Sequence, residues 1–283
     1  MENAAARSDG ISDRQCIEDW WRTSITEMRP GVIRYRGYSV AELIGQVSFS
    51  EMVWLMTRGE LPSGAQAALL DAALMSAVDH GPAAPSLAIA RMAATCGIGL
   101  NGAMASAVNV LGDIHGGAGE QAMTLYLDAR ERLQTGASLE SSVASAVDAF
   151  IQEHGPTIPG FGHRFHPVDP RSGPLMSLVQ AAALQGTVDG GFVTIARGIE
   201  ALLRTRKGKA VPMNIDGATA VIYAELGFKP PLARGLFCLS RSVGILAHAW
   251  EQSQREQRIK GSMPKRFTPS YDGPPPRPLE KGR

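Results

Sequence analysis

The chain has 283 residues, 44% hydrophobic and 19% charged, enough for one large domain or two modest ones with a real core. Its 28 Lys+Arg against 27 Asp+Glu leave a net charge of +1, so no overall field recruits nucleic acid or an anionic membrane. Aromatics are only 6%, which disfavours base-stacking platforms and β-sandwich or barrel classes, while abundant Gly and Ala suit closely packed helices.

Residues 1–18 read as a polar lead lacking the apolar run of a secretory signal. GVIRYRGYS (31–39) looks like a short strand or turn. Ser39 is placed to cap a helix from Val40, and Ser48 or Ser50 a second, in which Phe49, Val53, Trp54 and Met56 recur at helical spacing until Gly59 and Pro62 end it. An Ala-rich helix follows over 64–78, then a break at DHGP (79–82) and two small-residue helices, PSLAIARMAATCG and LNGAMASAVNVLGD. HGGAGE (115–120) is a Gly-rich break that opens a further helix, and Ser138 starts the next, to about Glu153. Helices are expected at 175–186, 189–207, 216–226 and 232–258, with GFKPP (227–231) as a turn. The tail 263–283, rich in Pro, Lys and Arg, reads as extended. No alternating run is long enough to make a sheet. Residues 233–250 carry Ser240, Arg241 and His248, which argues against a membrane span. Cys16, Cys96 and Cys238 are scattered and odd in number, which reads as thiols in a reducing, cytoplasmic setting.

The segment PTIPGFGHRFHPVDPRSGP (156–174) differs in kind: dense in Pro and Gly, it still holds two His and two Arg, and polar chemistry in a loop points to function more strongly than the same residues on a helix face. Of the six histidines, His80, His115 and His163 sit in Gly- or Pro-flanked breaks, where a satisfied turn histidine is the competing reading for His80 and His115. Asp216, in MNIDGATA, stands at a helix start, where the helix dipole favours an anion; its competing reading is an N-cap. H-x-x-H at 163–166 lies in a Pro-broken stretch without Cys or HExxH, so no metal site is expected. Nucleophile-elbow, dinucleotide and P-loop patterns are absent.

Five ordered blocks then carry a resemblance. GVIRYRGYSVAELIGQVSFSEMVWLMTRGELPS (31–63), DHGPAAPSLAIARMAAT followed by HGGAGE, IPGFGHRFHPVDPR, NIDGATAVIYAELGFKPP and LSRSVGILAHAWEQ together resemble the citrate synthase superfamily over most of residues 31–260. His80 and His115 are thirty-five residues apart, as in bacterial citrate synthases. DHGP, and GHR followed by N-I-D-G, look like citryl-CoA lyase, free-standing or as the C-terminal module of ATP-citrate lyase, and the short length agrees. His115 in HGGA is instead synthase-like, and the tail offers only MPKRF (263–267) where synthases typically carry R-P-R.

The resemblance implies an all-α fold with a large helical domain from 19–118 plus 227–262, an inserted small catalytic domain at 119–226, and flexible tails at 1–18 and 263–283. It implies Asp216 as carbon base, its pKa raised by desolvation; His115 as donor to the thioester oxygen; and His163 as acid/base at the carbonyl. His80, Arg164, Arg171 and Arg241 would bind substrate carboxylates, with a solvated loop arginine the alternative for Arg164 and an exposed helix arginine for Arg241. Coenzyme A would lie against Pro159, Gly160, Phe161 and Gly162, and Lys265 and Arg266 would meet its phosphates, a neighbouring subunit, or only solvent. No metal or redox cofactor, nucleic acid or membrane is implied, and a homodimer or higher homo-oligomer is. Citryl-CoA lyase, citrate or 2-methylcitrate synthase, and a catalytically silent assembly subunit stay open as readings.

Overall fold

The computed structural model describes residues 13–163, 166–264 and 266–279. The chain is all-α apart from one small sheet. Helix α1 (Asp13–Trp20) precedes strands β1 (Thr26–Arg29), β2 (Val32–Tyr35) and β3 (Tyr38–Ser39), and α2 (Val40–Leu43), α3 (Phe49–Arg58) and α4 (Gly64–Ser76) follow. Next come α5 (Pro85–Ala94), α6 (Leu100–Val108), α7 (Ala118–Gln134), α8 (Leu139–His154), α9 (Ser172–Leu184), α10 (Gly191–Lys207), α11 (Ile215–Glu225) and α12 (Pro230–Ser253).

Helix starts follow local chemistry. Ser48 and Glu51 form a reciprocal box at α3, the Glu51 N–H donating to Ser48 Oγ at 3.3 Å and the Ser48 N–H to Glu51 Oε2 at 2.7 Å. Ser63 and Gln66 repeat it at α4, and Ser138 caps α8. Ser39 precedes α2, but its side chain makes no capping bond. The last helix ends at Ser253, short of the expected 258, and α1 occupies part of the expected polar lead.

The sheet corrects the expectation that none forms, although β2 and β3 fall within the 31–39 stretch expected as a short strand or turn. Strands β1, β2 and β3 pair antiparallel in chain order, Thr26 opposite Tyr35 and Tyr35 opposite Tyr38. At two to four residues each, and half-exposed or exposed throughout, these strands leave no alternating apolar signature. Arg36 anchors the hairpin to α3, donating to the Met56 carbonyl at 2.8 Å.

Two apolar clusters make the core. In the larger, α7–α11, which span the proposed inserted unit, share buried residues with α3, α4 and the first half of α12, including Trp54, Leu70, Tyr126, Ile199 and Tyr223. The smaller joins Leu87 and Ala90 of α5, Ala103 and Ala107 of α6, and Ile245 and Ala249 of α12. Helix α12 thus belongs to both, and it approaches the chain between α4 and α5 very closely: a Cβ on Gly244 would overlap the Val78 carbonyl oxygen. Gly244→Ala is therefore expected to lower stability by about 1–3 kcal/mol. Gly235→Ala, on the same helix with nothing within 4 Å of its Cβ, is expected to be neutral or stabilising; calorimetric melting points of the two variants check this.

Candidate active site

Two loops join antiparallel to build the floor of the site. Phe161 bridges Met213, the Gly162 N–H donates to the Pro212 carbonyl at 2.7 Å, and the Asn214 N–H donates to the Gly160 carbonyl at 2.9 Å. The approach requires glycine on both sides. A Cβ on Gly160, at φ +82°, would lie 2.8 Å from Gly217 Cα, and one on Gly217 would overlap the Gly160 carbonyl oxygen.

Asn214 decides what Asp216 is free to do. Its Nδ2 donates to the Gly162 carbonyl at 2.7 Å, while its Oδ1 accepts the N–H groups of Asp216 (3.0 Å) and Gly217 (3.2 Å) and so caps α11. Asp216 is therefore not the N-cap, and among the described residues its carboxylate accepts no hydrogen bond. The dipole expectation is also reversed: burial pushes the Asp216 carboxyl above the ordinary carboxylate value, the neighbouring Arg241 and Arg171 opposing and Asp169 adding.

Asp169 organises the arginine side. Arg171 grips it bidentately, Nε to Oδ1 and Nη2 to Oδ2 both at 2.9 Å, and the Ile215 N–H donates to Oδ2 at 3.0 Å. Burial alone would raise the Asp169 carboxyl, but the Arg171 bonds and charge and the Ile215 N–H hold it at about 2. A depressed folded pKa stabilises above the unfolded value of about 4 and is lost as pH falls from about 4 towards 2, a contribution on the order of 2 kcal/mol. Asp169→Ala strands Arg171, 22% exposed, and uncaps Ile215, so it is expected to cost about 3 kcal/mol and to flatten the acid limb of stability against pH, as read by denaturant titration.

Arg241, 4% exposed on α12, donates from Nε to the Ala77 carbonyl at 3.1 Å, so it is no exposed helix arginine. Its charge reaches Asp216, His80 and His115. The His80 and His163 rings lie edge to face with centroids 5.3 Å apart. Burial first, then cationic neighbours, pull His80 and His115 below the ordinary imidazole value; burial also lowers His163, Asp169 opposing and His166 and Arg171 adding.

Partners fix two tautomers. The Ser86 N–H donates to His115 Nε2 at 3.2 Å, so neutral His115 carries its proton on Nδ1. The His166 N–H donates to His163 Nδ1 at 3.1 Å, so neutral His163 carries its proton on Nε2. Each imidazole therefore presents a donor at a defined ring position.

The structure thus brings His80, His115, His163, Arg171, Asp216 and Arg241 into one electrostatically linked group. Arg164 and Lys265 lie outside the described residues. Pro159, Gly160 and Phe161 are buried, Phe161 against Tyr126 at 6.3 Å, and Gly162 is half-buried. Three orienting residues escape a reading of the sequence. Ser86 follows a helix-starting Pro85, Asp169 reads as an ordinary loop acid and Asn214 as a bystander to Asp216; only the DPR and N-I-D strings hint at the last two. A separate groove of ≈730 Å³ beside Arg130, Asp189 and Glu225 holds charges that are already satisfied: Arg130 pairs with Asp189, and Glu225 accepts the Gly190 and Phe192 N–H groups. No group of three or more His, Cys, Asp or Glu among the described residues is arranged to hold a metal ion, and no helix there is long and apolar enough to cross a membrane.

A helical frame with this His/Asp/Arg group matches a known family. The family model "Citrate synthase, C-terminal domain" covers residues 19–68 and 64–261, and the chain belongs to the citrate synthase family. The solved citryl-CoA lyase from Hydrogenobacter thermophilus is 33% identical, with a TM-score of 0.80 over 92% of this chain and 98% of that one. The citrate/2-methylcitrate synthase of Bacillus subtilis is 29% identical over 235 residues, 81% of this chain and 57% of that protein. ATP citrate lyase from Methanothrix soehngenii, solved with citrate and coenzyme A, shares the fold at TM-score 0.74 and 20% identity over 96% of this chain and 46% of that one. The chain spans about half the length of the curated relatives it matches.

Proposed function

We propose that the protein cleaves citryl-CoA to acetyl-CoA and oxaloacetate. The observation that carries this reading is the uncapped Asp216 carboxyl, held above its ordinary pKa and grouped with two neutral histidines of fixed tautomer and two guanidinium groups. The match to citryl-CoA lyase over 98% of that chain supports the direction.

In this reaction the citryl hydroxyl proton goes to His163 Nδ1, the unprotonated ring nitrogen, which lets go of the His166 N–H to take it. The alkoxide collapses to the oxaloacetate carbonyl, and the C–C bond to the thioester arm breaks. The electron pair becomes an acetyl-CoA enolate whose oxygen accepts from His115 Nδ1–H, and protonated Asp216 delivers its proton to the terminal carbon. Arg171, Arg241, His80 and Arg164 bind the two free carboxylates. The backbone of Pro159–Gly162 lies along the coenzyme A arm. Because burial lowers His163, kcat/KM is expected to stay on its plateau to below about pH 6.5, the ordinary imidazole value, and a pH–rate profile measures this.

Citrate or 2-methylcitrate synthase is the second reading, favoured by the Bacillus subtilis relative. It adds thioester hydrolysis, so the test is whether free thiol appears beside acetyl-CoA. The inserted unit 119–226 closing on the rest of the chain would shield the enolate from water. A homodimer or larger assembly fits the exposed apolar stripe Leu239, Val243, Leu246 and Trp250 along α12. The scattered cysteines favour a cytoplasmic setting.

A further inference from the structure

We propose that His248 and Asp79 are positioning residues that hold His80 in the site. This rests on the reading of His80 as a carboxylate-binding group. Helix α12 presents Arg241, Gly244 and His248, at i, i+3 and i+7, to the segment that links α4 to α5. Arg241 Nε donates to the Ala77 carbonyl at 3.1 Å, and a Cβ on Gly244 would overlap the Val78 carbonyl and stand 3.2 Å from Asp79 Oδ1. His248 Nε2 lies 3.1 Å from that same Asp79 Oδ1.

The other end of the His248 ring is equally determined. Arg91 Nη1 stands 3.0 Å from His248 Nδ1, and a guanidinium only donates, so Nδ1 accepts and neutral His248 gives its Nε2 proton to Asp79. Arg91 is in turn held by Glu251 at 3.1 Å. Asp79 spends its other oxygen on its own loop: Oδ2 accepts the Gly81 N–H at 3.2 Å, and Gly81 sits at φ +80°, a conformation suited to glycine. That bond closes a turn whose central residue is His80, which meets His163 at 5.3 Å. Glu251, Arg91, His248 and Asp79 thus form one polar chain from the surface to the turn that aims His80. The A-H of the last sequence block belongs to this chain, although it touches none of the six site residues.

The test compares wild type, His248→Ala, His248→Gln, His80→Ala and the double variant His80→Ala/His248→Ala. His248→Ala is expected to raise KM for citryl-CoA about tenfold with kcat changed less than about threefold. Gln, whose side-chain amide still donates to Asp79, is expected to restore most of the loss. The double variant is expected to match His80→Ala alone, since the second residue acts through the first. Losses that multiply in the double variant, or an unchanged KM with only a lowered melting point in His248→Ala, would overturn the proposal. A readout independent of turnover is the His80 ring resonance of histidine-labelled protein, assigned with His80→Ala. It is expected to move in His248→Ala and return in His248→Gln, and an unmoved resonance refutes the coupling. Wild type that leaves citryl-CoA intact while the resonance behaves as stated instead overturns the reaction and leaves the positioning role standing.

Discussion

Asp216→Ala is expected to lower kcat for citryl-CoA cleavage by roughly 10²–10⁴-fold, the range for a lost general acid or base. The fold should survive, because Asn214 and not Asp216 caps α11. Removing a carboxyl that burial holds at a raised pKa also relieves desolvation, which offsets the lost attraction of Arg241 and Arg171. The melting point should therefore move little while activity collapses. Asn214→Ala should behave in the opposite sense: it uncaps α11 and frees the Gly162 carbonyl, costing roughly 1–2 kcal/mol. Steady-state kinetics and calorimetry on the two variants separate proton transfer from helix capping. A kcat for Asp216→Ala within tenfold of wild type would remove Asp216 from the chemistry.

His115→Ala is expected to cost roughly 10²–10³ in kcat, as when one oxyanion donor is lost. The argument turns on the tautomer. Ser86 N–H occupies Nε2, so the single proton of the neutral ring sits on Nδ1, and burial with the Arg241 charge keeps the ring neutral. Ser86→Ala removes only the Oγ partner at 3.0 Å and keeps the backbone donor, so a loss of a few-fold is expected there. Equal losses in the two variants would mean that Ser86, and not the Nδ1 proton of His115, limits the rate.

Much of this was readable from residues. Ser48 and Ser138 announced helix starts, and Gly59 with Pro62 a helix end, because a cap is a local interaction between neighbours. The Pro-rich loop at 156–174 stood out because its His and Arg lie where no helix face needs them. Only the 31–39 stretch hinted at the small sheet, because two- to four-residue, largely exposed strands carry no apolar alternation. The part Asn214 takes from Asp216 was hidden for a different reason. Two acceptor residues within three positions both suit a cap, and only the pairing of residues 160–162 with 212–214 decides between them. Ser86 and Asp169 act through bonds to residues 29 and 46 positions away, and no local pattern records such a partner. The raised pKa of Asp216 agrees with the desolvation that the resemblance implied and not with the helix dipole, since the protein mass that desolvates it comes from distant segments.

The most direct test incubates purified protein with citryl-CoA, and separately with acetyl-CoA plus oxaloacetate, following acetyl-CoA and free thiol together. The account predicts stoichiometric acetyl-CoA and oxaloacetate from citryl-CoA with no free thiol, a product ratio unchanged from pH 6 to 8, and loss of turnover in Asp216→Ala. Thiol released in step with condensation would make the protein a synthase. Citryl-CoA left intact by wild type, or cleaved equally well by Asp216→Ala, would contradict the account.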